Sequence, residues 1–297
     1  MIANLFLVLS SRIFIEIEAA PLWPESLTLF MDFQFKAELL TAVTLNEVAT
    51  KLLGNGSFGA QEKRNGKRRV IVREKSSVFC FNREGEKRDL PRKLVSVLLN
   101  HPLSRFVIDG ELEGTVLSPF YSGFDALILN NEALAPEEYR YREERLHEEF
   151  GNFHPMVNVL KTAWTYKEKL ALVKKLHAEN AEGVVFKNKY AVYKEGRAGQ
   201  HYKWKFWKSA DFVVIGPSAE GKNSVEIGVF NRDRLHRVSG VSLIGRTRVR
   251  PGDVVEVQYL YSTKNLHIVQ PVMLRKRDDK KATSCTADQL VINRDMK

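Results

Sequence analysis

The stretch GAQEKRNGKRRVIVRE, residues 59–74, places Lys63 three residues before Gly66 and among several further cations, where alternating β-branched residues announce a strand. Two chemistries fit such a run. It is either a solvated basic edge that holds phosphate loosely, or a loop in which one lysine amine does chemistry beside a bound phosphate, with the glycine letting backbone pass close. By itself Lys-x-x-Gly does not decide between them, so the reading depends on what surrounds it.

The chain has 297 residues, 44% hydrophobic, enough for one large or two moderate domains with a real core. Its formal charge of +10 favours polyanionic partners, nucleic acid foremost. Cys80 and Cys285 stand far apart without metal-ligand spacing, which argues against a zinc site or a disulfide framework and for a reducing, cytoplasmic setting. The opening MIANLFLVLSSRIFIEIEAA contains a short apolar run, but no Lys or Arg precedes it, and Arg12, Glu16 and Glu18 break the apolar character beyond it. It is too short for a membrane span, and export to a periplasm is the lesser alternative. Residues 1–32 are therefore read as an extension of unassigned role, with Met31 as an alternative start.

After this extension, Thr44 and Glu47 in TLNEVATKLL form a capping-box pattern ahead of a short helix. RRVIVRE and SSVFCFNREGE read as a hairpin, DLPRKLVSVLLNH as an amphipathic helix, and RFVIDGELEGTVL and GFDALILNN as strands. Two charged helices come next, in APEEYRYREERLHEEF and TYKEKLALVKKLHAENA, with a stripe of Leu146, Phe150, Leu170, Val173 and Leu176 and no evident chemistry. From Ala181 onward strand succeeds strand: EGVVFKN, HYKWKFW, DFVVIG, SVEIGVF, GDVVEVQYLY and LHIVQPVML. The pattern predicts an α+β chain: a domain of antiparallel sheets with helices over 33–208, a small OB-type β-barrel over 209–281, and a tail over 282–297. The 209–281 segment holds 13 Lys and Arg against 8 Asp and Glu, a net +5 that suits a surface facing nucleic acid.

Other residues gain meaning beside Lys63. Glu111 in DGEL and Glu182 in EGVVFK sit at strand edges, where a carboxylate either holds a divalent cation or simply ends a turn. Lys203 and Lys205, two apart, share one strand face and suit a phosphate. Phe124 is either a stacking platform or core. In order, Lys-x-x-Gly, Arg83, Asp-Gly-Glu, Phe-Asp-x-Leu, Glu-Gly-Val-Val-Phe-Lys and Lys-x-Lys, followed by a basic barrel ending in RKRDDK, resemble the compact ATP-dependent DNA ligases over residues 33–281.

That resemblance implies a nucleotidyltransferase (adenylation) domain followed by an OB-fold, and an enzyme that seals nicks in duplex DNA for repair, replication and recombination, as a monomer, with ATP and Mg²⁺ or Mn²⁺. It makes Lys63 the nucleophile that carries AMP. Gln61 reads the adenine edge with Glu62 beside it, and Phe124 stacks on the base. Arg68 and Arg83 hold ribose or the nick 5′-phosphate, Glu111 contacts ribose or metal, and Glu182 contacts metal. Lys187, Lys203 and Lys205 surround the phosphates, disfavouring a protonated Lys63. Arg277 and Lys280 orient the β- and γ-phosphates. The family usually has aspartate where this chain has Asn65, which keeps the shape and loses the charge. An RNA ligase, a GTP-using capping enzyme and a non-catalytic nucleic-acid-binding protein are the rival readings.

Overall fold

Alternation of buried and exposed residues organises the chain into three sheets. In the computed structural model the described residues are 36–293 apart from 219–222, 244, 246 and 247, all within one compact unit, Phe35–Lys297. The expectations for residues 1–32 lie outside them.

The first strands are β1 (Thr41–Ala42), β2 (Phe58–Glu62), β3 (Lys67–Glu74), β4 (Ser77–Phe81), β5 (Lys87–Arg88), β6 (Arg105–Gly114), β7 (Pro119–Leu129), β8 (Glu132–Ala133) and β9 (Val157–Val159). They are followed by β10 (Gly183–Asn188), β11 (Tyr202–Lys205), β12 (Lys208–Pro217), β13 (Ser224–Asn231), β14 (Arg234–Ser242), β15 (Val254–Tyr259) and β16 (Val272–Lys276). A seven-stranded sheet runs β5-β4-β3-β6-β7-β8 with β9 on β7, a four-stranded sheet runs β1-β11-β10-β2, and a five-stranded sheet runs β14-β13-β12-β15-β16. Pairing is antiparallel except for β1 with β11 and β7 with β9. The mixed, largely antiparallel architecture is the expected one.

The predicted capping box exists: Thr44 and Glu47 satisfy each other's backbone N–H at the start of Leu45–Glu47, which continues as a π-helical turn over Val48–Leu52. Thr165 and Glu168 form a second box at the head of the helix Tyr166–Ala178. The predicted amphipathic helix is Arg92–Leu99, burying Leu94 and Leu98.

The two charged helices are anchors. Tyr139–Phe150 packs Leu146 and Phe150 into the core of the seven-stranded sheet with Ile71, Phe106 and Ile108. Its Arg142, fully buried, grips Asp125 through Nε–Oδ1 at 2.7 Å and Nη2–Oδ2 at 2.9 Å, and its Nη1 donates to the carbonyls of Glu137 and Ala191. Tyr139 Oη donates to the Phe124 carbonyl at 3.1 Å, so this helix fixes the backbone that presents Phe124. On Tyr166–Ala178, buried Lys169 donates to the carbonyls of Leu52, Asn55 and Phe58, tying the first helical segment to the start of β2.

In the C-terminal sheet Phe212, Val214, Ile227, Val255, Val257 and Tyr259 form a separate core. Two details differ from the sequence reading. Strand β14 is absent from it, because Arg234, Leu235, His236 and Arg237 are all exposed on an edge strand and show no alternation. The strand expected over LHIVQPVML is confined to Val272–Lys276, after Pro271, which has no N–H for the ladder. The expected tail is docked as far as Asn293: Cys285 is buried and Asn293 Nδ2 donates to the Asn180 carbonyl at 3.1 Å. Among the described residues no helix is long and apolar enough to cross a membrane.

Removing one partner of a buried bidentate pair strands the other charge. Arg142→Ala is therefore expected to lower the unfolding free energy by ~3–5 kcal/mol in urea titrations. A loss below ~1 kcal/mol contradicts an anchoring role for this helix.

Candidate active site

Lys63 comes directly after β2, and its backbone N–H donates to the Gly183 carbonyl at 3.0 Å, pinning it where β10 begins. A side chain at Gly183 would put Cβ 2.1 Å from the Trp204 carbonyl oxygen, so glycine is required for β10 and β11 to meet here. Gly66 is required for a similar reason. Its Cβ would lie 2.5 Å from the Leu112 carbonyl and 2.8 Å from Glu111 Cγ, because the loop after Lys63 lies against β6.

The amine of Lys63 stands 2.9 Å from Glu182 Oε1, and Lys205 Nζ reaches the same oxygen at 3.2 Å. One carboxylate, 2% exposed, thus serves two ammonium groups and places the Lys63 amine. The neighbouring cations are engaged elsewhere. Arg64 forks onto Glu113 and also meets Glu62 at 2.7 Å. Arg68 forks onto Asp109 at 3.0 and 2.5 Å, and its Nη1 donates to the Glu38 carbonyl. Within the run 63–69, Arg64 and Arg68 are thus held in structural pairs and the Lys63 amine is placed by Glu182, while Lys67 is exposed.

A cavity of about 490 Å³, large enough for a nucleotide, opens beside Lys63. Among the residues that line it are Gln61, Glu62, Lys63 and Arg68. Arg83, Glu111, Phe124, Lys187 and Lys203 line it too. Gln61 is buried, with Nε2 donating to the Leu160 carbonyl and to Thr162 Oγ1. The Phe124 ring lies 5.3 Å from the Arg68 guanidinium and 5.1 Å from Lys187 Nζ. Lys187 is also 4.6 Å from the Tyr139 ring, and burial lowers its pKa against the pull of Asp125 and Glu38. Lys203 is shifted down as well, by burial and then by Lys205 and Lys63. The three lysines expected around one amine are thus divided, Lys203 and Lys205 beside Lys63 and Lys187 beside the aromatic wall. Arg83 stands at the rim, well exposed and paired with Glu84.

Glu182 and Lys205 adjoin Lys63 without lining the cavity, and Arg277 and Lys280 do not reach it. Arg277 forks onto Asp279 at 2.8 Å and meets Asp211 at 3.2 Å, while Lys280 meets Asp211 at 3.1 Å. Burial pushes the Glu111 carboxyl up to about 7, with Lys63 and Arg68 acting in the opposite direction. No hydrogen bond neutralises it among the described residues. A cation coordinated there would relieve that cost. Glu111 and Glu182 offer two hard oxygen donors near Lys63, and no cluster of three or more potential ligands occurs among the described residues. Two carboxylates fit a magnesium ion that also takes phosphate oxygens.

Sequence reasoning does not single out Asp109, Asp125, Glu38, Tyr193 or His201. Tyr193 Oη donates to Asp109 Oδ2 and accepts from the Glu38 N–H, both at 3.1 Å. Asp109 and Asp125 are visible inside DGEL and FDAL, where their neighbours Glu111 and Phe124 draw the reading.

Residues 115–206 match the family model described as ATP dependent DNA ligase domain. Among solved structures, the ligase domain of M. tuberculosis LigD aligns at TM-score 0.51 and 20% identity, covering 86% of this chain and 99% of that one. A Lig E DNA ligase aligns at TM-score 0.58 and 16% identity, covering 82% and 100%. A search of curated proteins returned no match. At these identities the structures establish the fold, a ligase nucleotidyltransferase fold with a C-terminal β-sheet unit. The family match spans residues 115–206, and the likeness of the chain as a whole to these ligases is one of fold.

The raised pKa of Glu111 gives a stability test. Because the native pKa is about 7 against an ordinary 4.5, the carboxyl's contribution to stability is complete below about 4.5 and is lost as pH rises through about 7. Glu111→Gln lacks this loss. Its melting temperature should match the parent near pH 4.5 and exceed it near pH 8; an equal gap at both values contradicts the assigned burial cost.

Proposed function

We propose that the protein seals nicks in duplex DNA through an AMP carried on Lys63. The observation that supports this best is one amine, positioned by Glu182, at the edge of a nucleotide-sized cavity that an aromatic ring and several cations line. In the first step the unprotonated Lys63 amine attacks the α-phosphorus of ATP. A P–N bond forms, the bond to pyrophosphate breaks, and the amine's proton goes to solvent. In the second step the AMP passes to the 5′-phosphate at a nick, freeing Lys63, and in the third the 3′-hydroxyl displaces AMP and closes the strand.

Within this scheme Phe124 stacks on the adenine, and Gln61 and Glu62 flank it. Arg68 is already fixed by Asp109, so it presents a rigid guanidinium to ribose or phosphate without further ordering cost. Lys187 and Lys203 offset phosphate charge from two sides of the cavity, and Lys205 does so through the Lys63–Glu182 cluster. Arg83 takes the nick phosphate at the rim. Glu111 and Glu182 would hold a divalent metal, which would offset charge on the phosphates. Arg277 and Lys280 act on the departing pyrophosphate once released from Asp211. We further assign 33–208 to the adenylation domain and 209–281 to an OB-fold, acting as a monomer in the cytoplasm. The order DGEL, FDAL, EGVVFK favours DNA over the RNA-ligase and capping alternatives.

Incubation with labelled ATP and magnesium is expected to attach AMP through an acid-labile, base-stable bond, and Lys63→Ala should abolish it. Label that survives in Lys63→Ala contradicts the assignment. Nick binding uses basic groups on both domains. With ~6–10 phosphate contacts, nick affinity should fall by ~10³–10⁵ between 50 and 200 mM salt, while self-adenylation, which needs no DNA, changes far less. Equal salt sensitivity of the two steps would remove the barrel's net +5 from the DNA-binding account.

A further inference from the structure

The C-terminal unit makes two contacts beside Lys63, one to its loop and one to the end of β11, from a single hairpin and the residue that follows it. Leu260 N–H donates to the Val269 carbonyl and Val269 N–H to the Tyr261 carbonyl, both at 3.0 Å, closing the 260–269 hairpin. From it, Tyr261 Oη accepts a hydrogen bond from Asn65 Nδ2. Gln270, immediately after the hairpin, accepts from Lys205 Nζ through Oε1. Gln270 sits in the left-handed backbone region at φ 53°. Asn65 is two residues beyond Lys63, and Lys205 shares Glu182 with Lys63. The hairpin and the residue after it therefore contact two neighbours of Lys63, Asn65 in its loop and Lys205 at its carboxylate. Tyr261 is 1% exposed, so its ring is fixed and its hydroxyl has a defined place.

Asn65 is also the position at which the chain departs from the usual aspartate, and the nature of its partner explains why the change is accommodated. An amide nitrogen donates, a carboxylate only accepts, and a tyrosine hydroxyl can do either. A carbonyl at that place would serve only the amide, because it has no hydrogen to donate to a carboxylate. We propose that Tyr261 is a positioning residue for the Lys63 loop, acting through Asn65, and that the loop requires at residue 65 a hydrogen bond to this hydroxyl and not a negative charge. This rests on the reading of Lys63 as the adenylated residue. Two of the loop's constraints then come from its own domain, the Lys63 N–H on Gly183 and the close approach of Gly66 to β6, and the third comes from the C-terminal unit.

The test measures the rate constant of AMP transfer to the protein and, separately, KM for ATP, in Tyr261→Phe, Asn65→Asp, Asn65→Ala and the double variant Asn65→Ala/Tyr261→Phe. Loss of one partly buried hydrogen bond to a neutral partner should slow transfer ~10-fold in Tyr261→Phe and in Asn65→Ala, with KM little changed. The double variant should be no slower than either single one, because both remove the same bond. Asn65→Asp should keep most of the rate, and should lose it when combined with Tyr261→Phe. Transfer at the parent rate in Tyr261→Phe, or losses that multiply in the double variant, overturns the proposal. If Tyr261→Phe does not fold, the Asn65 pair decides: equal loss in Asn65→Asp and Asn65→Ala overturns it, and retention by Asp alone supports it. A parent protein that takes no AMP on Lys63 fails the underlying reading as well, an outcome separate from normal labelling with unmoved variants.

Discussion

A single carboxylate governs the site. Glu182, almost wholly buried at the head of β10, binds the Lys63 amine and the Lys205 amine with one oxygen, and the adjacent Gly183 carbonyl takes the Lys63 N–H. Burying a carboxylate is costly unless it is paired, so two ammonium groups at one oxygen are a condition for its being there at all. The same arrangement gives Lys63 a fixed place against which a phosphate can be brought. It depends on the pairing of β2 with β10 and of β10 with β11, because those three strands bring Lys63, Glu182 and Lys205 together at their adjoining ends.

Around that cluster the fold uses its guanidinium groups to set geometry. Arg142 on Asp125 holds a helix to β7 beside Phe124, and Arg68 on Asp109 holds β3 to β6 under the cavity. Arg64 on Glu113 holds the loop that begins at Lys63. Each is a forked pair whose two parallel bonds fix direction as well as distance. The lysines divide: Lys63, Lys187 and Lys203 line the cavity, whereas Lys169 is a buried anchor on three backbone carbonyls, a division that a net charge of +10 does not reveal.

Legibility in the sequence depends on range. Thr44 with Glu47, the hairpin of β3 and β4, and the helix Arg92–Leu99 follow from periodicity and short-range caps, and the structure has them. Lys63, Glu111, Phe124 and Lys187 are named by motif order, and the structure gathers them around one cavity. Pairings over long sequence separations are not legible: nothing near Arg142 points to Asp125, and nothing near Asn65 points to Tyr261. Strand β14 is hidden because its first four residues all face solvent. The motif lysines Lys187 and Lys203 look equivalent in sequence, yet burial against Phe124 and Tyr139 separates the first from Lys63. Arg277 and Lys280 are legible as a motif, while the pairing of Arg277 with Asp211, 66 residues away, is not.

The central claim is that AMP held on Lys63 is the intermediate of strand joining, and a single-turnover reaction tests it most directly. Protein adenylated with ATP and magnesium, then freed of nucleotide, is mixed with a duplex bearing one nick with a 5′-phosphate. The account predicts one joined strand and one released AMP for each adenylated molecule, with no ATP added. No joined strand, or joining that appears only when ATP is restored, would contradict it.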